Sequence, residues 1–568
     1  MSMINGARMV LETLYRIGIR DIFGYPGGAV IPIYDEIYKF DGLNHYFARH
    51  EQGAAHEADG YARASGRCGV CLATSGPGAT NLVTGIMTAH MDSVPMLAIT
   101  GQVGRSLLGK DAFQESDIVG ITLPITKTNY LVKDIRDLPR ILKEAHYIAT
   151  TGRPGPVLID IPKDIQLQEI SRDEFDRLYN KDFTLEGYDP NYKGHPLQIK
   201  KAARLLREAK RPLIIAGAGI LKSGASKELF ELAEKLHIPV TNTLLGLGSF
   251  PSDHPLALGM LGMHGTAAAN YATTEADVVV AAGIRFDDRI TGDPKEFCKQ
   301  ARIIHIDIDP AEIEKNCKVD VPIVGDLKQV LSEIHPLLEP DTHEDWVRRV
   351  TEWKTTYKLR YNEAPDGKLV PQEVLTVLNE ILQGEGIVVT DVGQHQMWAA
   401  QYLTYRHPNT ILTSGGAGTM GFGVPAAIGA QVAMPSSKVV LVVGDGGFQM
   451  TAQEMMLMQQ YKLPVKILLL NNSYLGMVRQ WQELFNDRRY SYVDMEYNPD
   501  FMKLAEAYGV KGVKIQTHDE LHTKLADAIR SDEGVLIECV VEREEYVYPM
   551  IPAGKTVADM VGKKGVAD

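Results

Sequence analysis

Two strand-like runs of this chain each end on a residue that could hold a metal ion. Gly444-Asp445-Gly446 closes the β-branched run 438–443, and Asn471-Asn472 closes the run 465–470. The segment between them is long enough for a helix over 449–461. A strand–helix–strand unit with the usual right-handed crossover lays its strands parallel, which brings Asp445 and Asn472 to one sheet edge. A carboxylate and an amide oxygen are hard ligands. With a backbone carbonyl and diphosphate oxygens they complete an octahedron for Mg²⁺, and the glycines permit close backbone approach to phosphate. Taken singly, an Asp in a tight turn and an Asn-Asn pair fit ordinary loops. Their pairing across one unit gives the signal its weight.

Other signals carry less. Gly416, Gly418 and Gly421 fit a dinucleotide fingerprint, but the acid expected about 20 residues on is missing, and 436–441 reads Ser-Ser-Lys-Val-Val-Leu. Cys68 and Cys71 form a lone CxxC on a strand and read as buried structural thiols. Gly554-Lys555-Thr556 lacks the upstream glycine of a phosphate loop, and the 16 His contain no HExxH pair. Glu51, in Arg49-His50-Glu51-Gln52-Gly53, fits dipole compensation at a helix start.

The elements that position these residues form an α/β protein of three domains, each a parallel sheet flanked by helices. The first domain covers 1–165, a charged, Tyr-rich linker 166–195, the second domain 196–335, a polar helical linker 336–370, and the third domain 371–568. A length of 568 residues suits this division. A net charge of −13 disfavours nucleic acid as a partner. The longest apolar runs, such as Val278–Ala282, fall far short of the roughly 18 residues that span a bilayer, so no membrane association is expected. Five Cys and an amphipathic start without a signal segment point to the cytoplasm.

With these residues in view, nearly the whole chain resembles the catalytic subunits of acetohydroxyacid (acetolactate) synthases, within the thiamine-diphosphate-dependent enzymes. The resemblance runs from Gly24-Tyr25-Pro26-Gly27-Gly28 to Tyr548-Pro549-Met550-Ile551-Pro552. It implies that the first and third domains bind the pyrimidine and pyrophosphate ends of thiamine diphosphate, and that the second binds FAD. Asp445, Asn472 and the carbonyl of Tyr474 would hold Mg²⁺, with Gly446 and Gly447 beside the diphosphate. Glu51 would pair with the aminopyrimidine ring, aiming an internal base at the thiazolium. Met420 would wedge the cofactor into its bent form. Glu57 has no counterpart and reads as structural. Gln114, Lys163, Phe113, Met263, Arg289, Met477 and Val478 would line the substrate channel. Arg289 suits a 2-ketoacid carboxylate through its bidentate fork, though Arg285-Phe286-Asp287-Asp288-Arg289 also fits a surface ion-pair cluster. Trp481 would favour 2-ketobutyrate by packing on its extra methyl. Arg153, Gly217, Gly219, Asp307 and Asp326 match flavin positions, and the flavin takes no net part in the family's chemistry. Gly104 stands where relatives often place Pro, leaving that loop's backbone free.

The implied reaction decarboxylates pyruvate and condenses the product with a second 2-ketoacid, giving 2-acetolactate or 2-aceto-2-hydroxybutyrate for branched-chain amino-acid synthesis. A flavin-dependent pyruvate oxidase of the same cofactor family is the alternative. The implied assembly is a homodimer or homotetramer whose site forms between chains, with room for a separate regulatory small subunit.

Overall fold

The structure, a computed structural model, describes residues 2–364 and 367–566. Three six-stranded sheets, each wholly parallel, confirm the α/β class. The first is ordered Asn44–Phe47, Asp21–Gly24, Gly69–Ala73, Met96–Gln102, Pro156–Pro162, Thr128–Leu131. The third is ordered Ile411–Leu412, Ile387–Thr390, Val439–Gly444, Lys466–Asn471, Val535–Val540, Lys511–Ile515. Numbered within each domain, both read 2-1-3-4-6-5. The middle sheet instead reads 3-2-1-4-5-6, the order of doubly wound dinucleotide-binding folds.

Helices cover both faces of each sheet, so the central strands are continuous apolar runs rather than alternating ones. Val439 to Val443 are fully buried. Lys466 is the exception: at 1% exposed, it turns its ammonium onto the Ser531 carbonyl at 2.7 Å and that of Glu533.

The expected first linker is partly domain structure. Glu169–Ser171 pairs antiparallel with Met3–Asn5, and the helix Arg172–Asn180 buries Phe175 in the first core. The alternation in 166–180 is too short to register as a strand and helix without its partner at the N-terminus. The second linker carries the helix Glu344–Thr356, whose Trp346 donates to the Pro212 carbonyl at 2.9 Å. Cys68 and Cys71 are buried and unpaired, as expected.

First and third domains share a core. The helix Glu51–Ser65 packs along the helix Gly423–Ala433, alanine against alanine. A Cβ at Gly60 would collide with the Ala426 backbone, and one at Gly429 with the Glu57 carbonyl, so glycine sets how closely these helices cross. Among the described residues, no helix is long and apolar enough to cross a membrane.

Candidate active site

The chain reverses its winding in the third sheet between Ile387–Thr390 and Val439–Gly444, the kind of switch point where open α/β sheets bind ligands. A cavity opens there. Gln394 and His395 line it from one strand end, Asp445, Gly446 and Gly447 from the next, and Met420 from the side. Asn472, Tyr474, Met477 and Val478 complete it. The register sets Gly444 opposite Leu470, so Asp445 and the Asn pair follow at one edge, as the spacing predicts.

The helix expected over 449–461 starts earlier and is broken, into Asp445–Thr451, a 3-10 turn Ala452–Glu454, and Met455–Gln460. Its start sets the Asp445 carboxylate in the first turn, where the helix dipole favours negative charge. Asp445 is 1% exposed and accepts from Asn498 Nδ2 at 2.6 Å. Burial outweighs that neutral partner and pushes its carboxyl up to about 6. A buried acid with no cationic partner in its shell fits a divalent cation.

The two asparagines divide the work. Asn471 is committed locally: its amide donates to Glu538 at 2.8 Å and its oxygen accepts from Ser473 N at 3.1 Å. Asn472 accepts from Tyr474 N at 3.2 Å and faces the cavity, with acceptor capacity left. Ser473 takes a left-handed φ of 52° in this turn. The Tyr474 ring then sits between the guanidiniums of Arg479 and Arg543, 5.0 and 4.1 Å from its centroid. Arg543 also donates to the Ser473 carbonyl at 3.2 Å, which pins the turn.

Three contributors escape motif reading. Buried Asp391 accepts from Gly421 N at 3.1 Å and Gly423 N at 2.7 Å, fixing the turn that carries Met420. His395, pushed down to about 4 by burial, stays neutral. Its Nε2 and the Trp398 Nε1 are buried in the cavity wall with no hydrogen-bond partner. The indole N–H is an orphaned donor that fits an anionic diphosphate oxygen, whereas the neutral imidazole bonds the Asp391 backbone and leaves Nε2 as an acceptor. A Gln-His pair just past a strand could have been suspected from its position; Asp391 could not.

The helix Gly476–Phe485 leads from this cavity to a second group. Met477 and Val478 face the cavity, and one turn later the Trp481 ring lies 5.6 Å from the Arg289 guanidinium. Met263 N donates to the Arg289 carbonyl at 2.8 Å, so Met263, Arg289 and Trp481 are brought together. Arg289 also pairs with Asp288 at 3.3 Å and is largely exposed.

A third group gathers at the carboxyl edge of the first sheet. Glu51 opens its helix and accepts from Asn81 at 2.9 Å. A Cβ at Gly78 would stand 3.1 Å from Glu51 Oε1, and one at Gly76 2.8 Å from the Gln114 carbonyl, so Glu51 and Gln114 flank one turn. Lys163 starts a helix directly after Pro156–Pro162, and Phe113 is 88% exposed. Gly104 does not use glycine's freedom: its φ of −58° already lies in proline's range. Among the described residues, none before Pro371 lines the cavity at Asp445, so Glu51 is not part of its wall.

The proposed flavin positions gather at the middle sheet's carboxyl edge. Gly217 N and Gly219 N donate to the carbonyls of Ala282 and Gly283 at 2.9 and 3.2 Å. These glycines let the backbones cross closely, with both amides bonded to backbone carbonyls. Arg153 binds Asp309 at 3.1 Å and Glu312 at 2.6 Å. Burial pushes Asp307 up to about 6, and Asp326 caps the helix Leu327–Ile334 through Gln329 N at 3.1 Å. Carboxylates at the carboxyl ends of these strands fit sugar hydroxyls better than phosphate.

Three family models cover this architecture. The N-terminal TPP binding domain of thiamine pyrophosphate enzymes matches residues 4–121, their central domain 199–334, and their C-terminal TPP binding domain 391–539. The chain belongs to the thiamine-diphosphate-dependent enzymes. Similarity extends through its whole length to a probable acetolactate synthase large subunit of Methanocaldococcus jannaschii, 51% identical over 98% of this chain and 95% of that one. The acetolactate synthase large subunit of Lactococcus lactis is 49% identical over 98% and 96%. The acetolactate synthase isozyme 3 large subunit of Escherichia coli is 45% identical over 99% of each. Within the class, then, the family is that of the acetolactate synthase large subunits.

Proposed function

We propose that this chain decarboxylates pyruvate and joins the remaining two-carbon unit to pyruvate or 2-ketobutyrate, forming 2-acetolactate or 2-aceto-2-hydroxybutyrate for branched-chain amino-acid synthesis. The edge where buried Asp445 meets half-buried Asn472, in a chain alike over 98% of its length with an acetolactate synthase large subunit, carries this reading.

Bound thiamine diphosphate supplies the electron sink for breaking and making the carbon–carbon bonds. Asp445, the Asn472 amide oxygen and the Tyr474 carbonyl hold Mg²⁺, with the diphosphate beside Gly446 and Gly447. Met420 packs on the cofactor and fixes its shape. Glu51 holds a proton at a ring nitrogen of the aminopyrimidine, which requires its carboxylate within reach of the cofactor. Glu51 is absent from the wall of the cavity at Asp445, which supports a site built by two chains, with a homodimer or a tetramer of two such pairs as the active unit. Gln114, Lys163 and Arg289 orient the 2-ketoacid carboxylate, with Phe113, Met263, Met477 and Val478 along the approach. Trp481 packs on the second substrate's extra methyl. FAD lies along the middle sheet's edge near Arg153, Gly217, Gly219, Asp307 and Asp326. The large-subunit names of the relatives support a separate small regulatory subunit.

The test is acetolactate formation from pyruvate, with and without thiamine diphosphate and Mg²⁺. Product that requires both is expected. Flavin reduction without acetolactate would sink the proposal.

A further inference from the structure

The turn that carries Met420 has little structure of its own. It runs Gly415-Gly416-Ala417-Gly418-Thr419-Met420, with Gly418 at a φ of 63°. A glycine-rich turn loses much conformational freedom when fixed, so something outside it must hold it. Asp391 grips the far end, from the turn's own domain. The near end is gripped from the first domain.

Asp92, which ends the helix Val83–Met91, is 3% exposed. Its Oδ1 accepts from Gly416 N at 2.7 Å and its Oδ2 from Gly415 N at 3.0 Å. Arg63 donates to Oδ2 at 2.9 Å and, through its other nitrogen, to the Thr413 carbonyl at 2.8 Å. Arg63 is itself buried and held by Asp59. Thr88 adds a hydroxyl contact to Thr419 at 2.7 Å. Hydrogen bonds from amides to a carboxylate are charge-assisted, and this carboxylate is buried, so the grip is stronger than that of an ordinary loop contact.

We propose that Asp92, backed by Arg63, is a positioning residue that sets Met420 against the cofactor. The proposal rests on the reading of Met420 given above. It gives the first domain a second task besides carrying Glu51. One helix, Glu51–Ser65, bears Glu51 in its first turn and Arg63 in its last. If the site forms between chains, that helix links the centre Glu51 serves to the turn of its own chain.

The test uses the full-length protein with Asp92→Asn, Thr88→Val and Met420→Ala. Amide hydrogen exchange without substrate or cofactor should quicken at Gly415 and Gly416 by at least about tenfold in Asp92→Asn. With saturating cofactor, Asp92→Asn should lower kcat by about tenfold or more, leave KM for pyruvate near its starting value, and add little once Met420 is Ala. Thr88→Val should do the same on a smaller scale, with exchange rising at Thr419, and keeps the test open if Asp92→Asn folds poorly. Unchanged exchange, or kcat losses that multiply with that of Met420→Ala, would overturn the clamp. Faster exchange with kcat indifferent to Met420→Ala would instead overturn the reading of Met420 and leave the clamp standing.

Discussion

The first and third domains wind six parallel strands in the same order and so share a switch point, yet they present different chemistry there. In the third, the strand Val439–Gly444 passes straight into a helix that begins with Asp445, burying an acid beside Asn472, with the unpaired Trp398 N–H in the same cavity wall. In the first, the corresponding strand Gly69–Ala73 runs through Thr74 and Ser75 to Gly76-Pro77-Gly78, against which stands Glu51, at the start of the helix that precedes this strand. One crevice suits a cation and diphosphate; the other offers a single carboxylate. The scaffold sets where chemistry happens, and the few residues past each strand set which chemistry it is.

That contrast predicts different failures on its two sides. Asp445→Asn should lose Mg²⁺-dependent cofactor binding and with it nearly all turnover. Glu51→Gln should lose turnover by several orders of magnitude while binding the cofactor almost normally, since the amide keeps the shape but not the basic oxygens. Calorimetric titration with thiamine diphosphate and Mg²⁺ separates the two. Equal binding defects would erase the distinction between the crevices.

The proposed selector, Trp481, sits on the third domain's side. Trp481→Leu should retain acetolactate formation and reduce preference for 2-ketobutyrate by roughly ten- to a hundredfold, the value of one methyl contact. Competition of the two ketoacids reads this ratio directly, and an unchanged ratio would remove Trp481 as selector.

A smaller effect belongs to the junction of the two domains. Glu57 is fully buried and faces Glu454, which also accepts from Arg49 N at 2.8 Å. Burial, then the Glu454 carboxylate, hold Glu57 well above the carboxylate range, and burial pushes Glu454 up to about 7. A carboxyl with a raised folded-state pKa stabilises fully below its unfolded value, near 4.3, and loses that stability as pH climbs through the folded one. Glu57→Gln should therefore flatten the fall in melting temperature between about pH 5 and about pH 8. A slope like that of the wild type would show that the pair is not strained.

Much of this was legible in sequence. Continuous β-branched runs ending in Gly, Asp or Asn marked the buried parallel strands, and Asp445 with Asn472 could be paired because one helical crossover, though broken, joins their strands. Asp391 and Asp92 were not legible. Each acts across strands or domains distant in sequence, so no spacing relates it to the amides it holds. Gly217 and Gly219 show the same limit: a Gly-rich strand end looks alike in sequence whatever it meets, and here a Cβ at either would strike Gly283. The identity of strand order between the first and third domains was hidden too, because order in a sheet depends on pairings that local texture does not encode.

The account stands on the two crevices meeting across chains. Co-expressing Glu51→Gln chains with Asp445→Asn chains, each inactive alone, tests this most directly. A heterodimer then holds one doubly altered site and one intact site, and random pairing should restore about a quarter of wild-type turnover. A mixture as inactive as its parents, with heterodimers demonstrably present, would mean that each chain builds its own site.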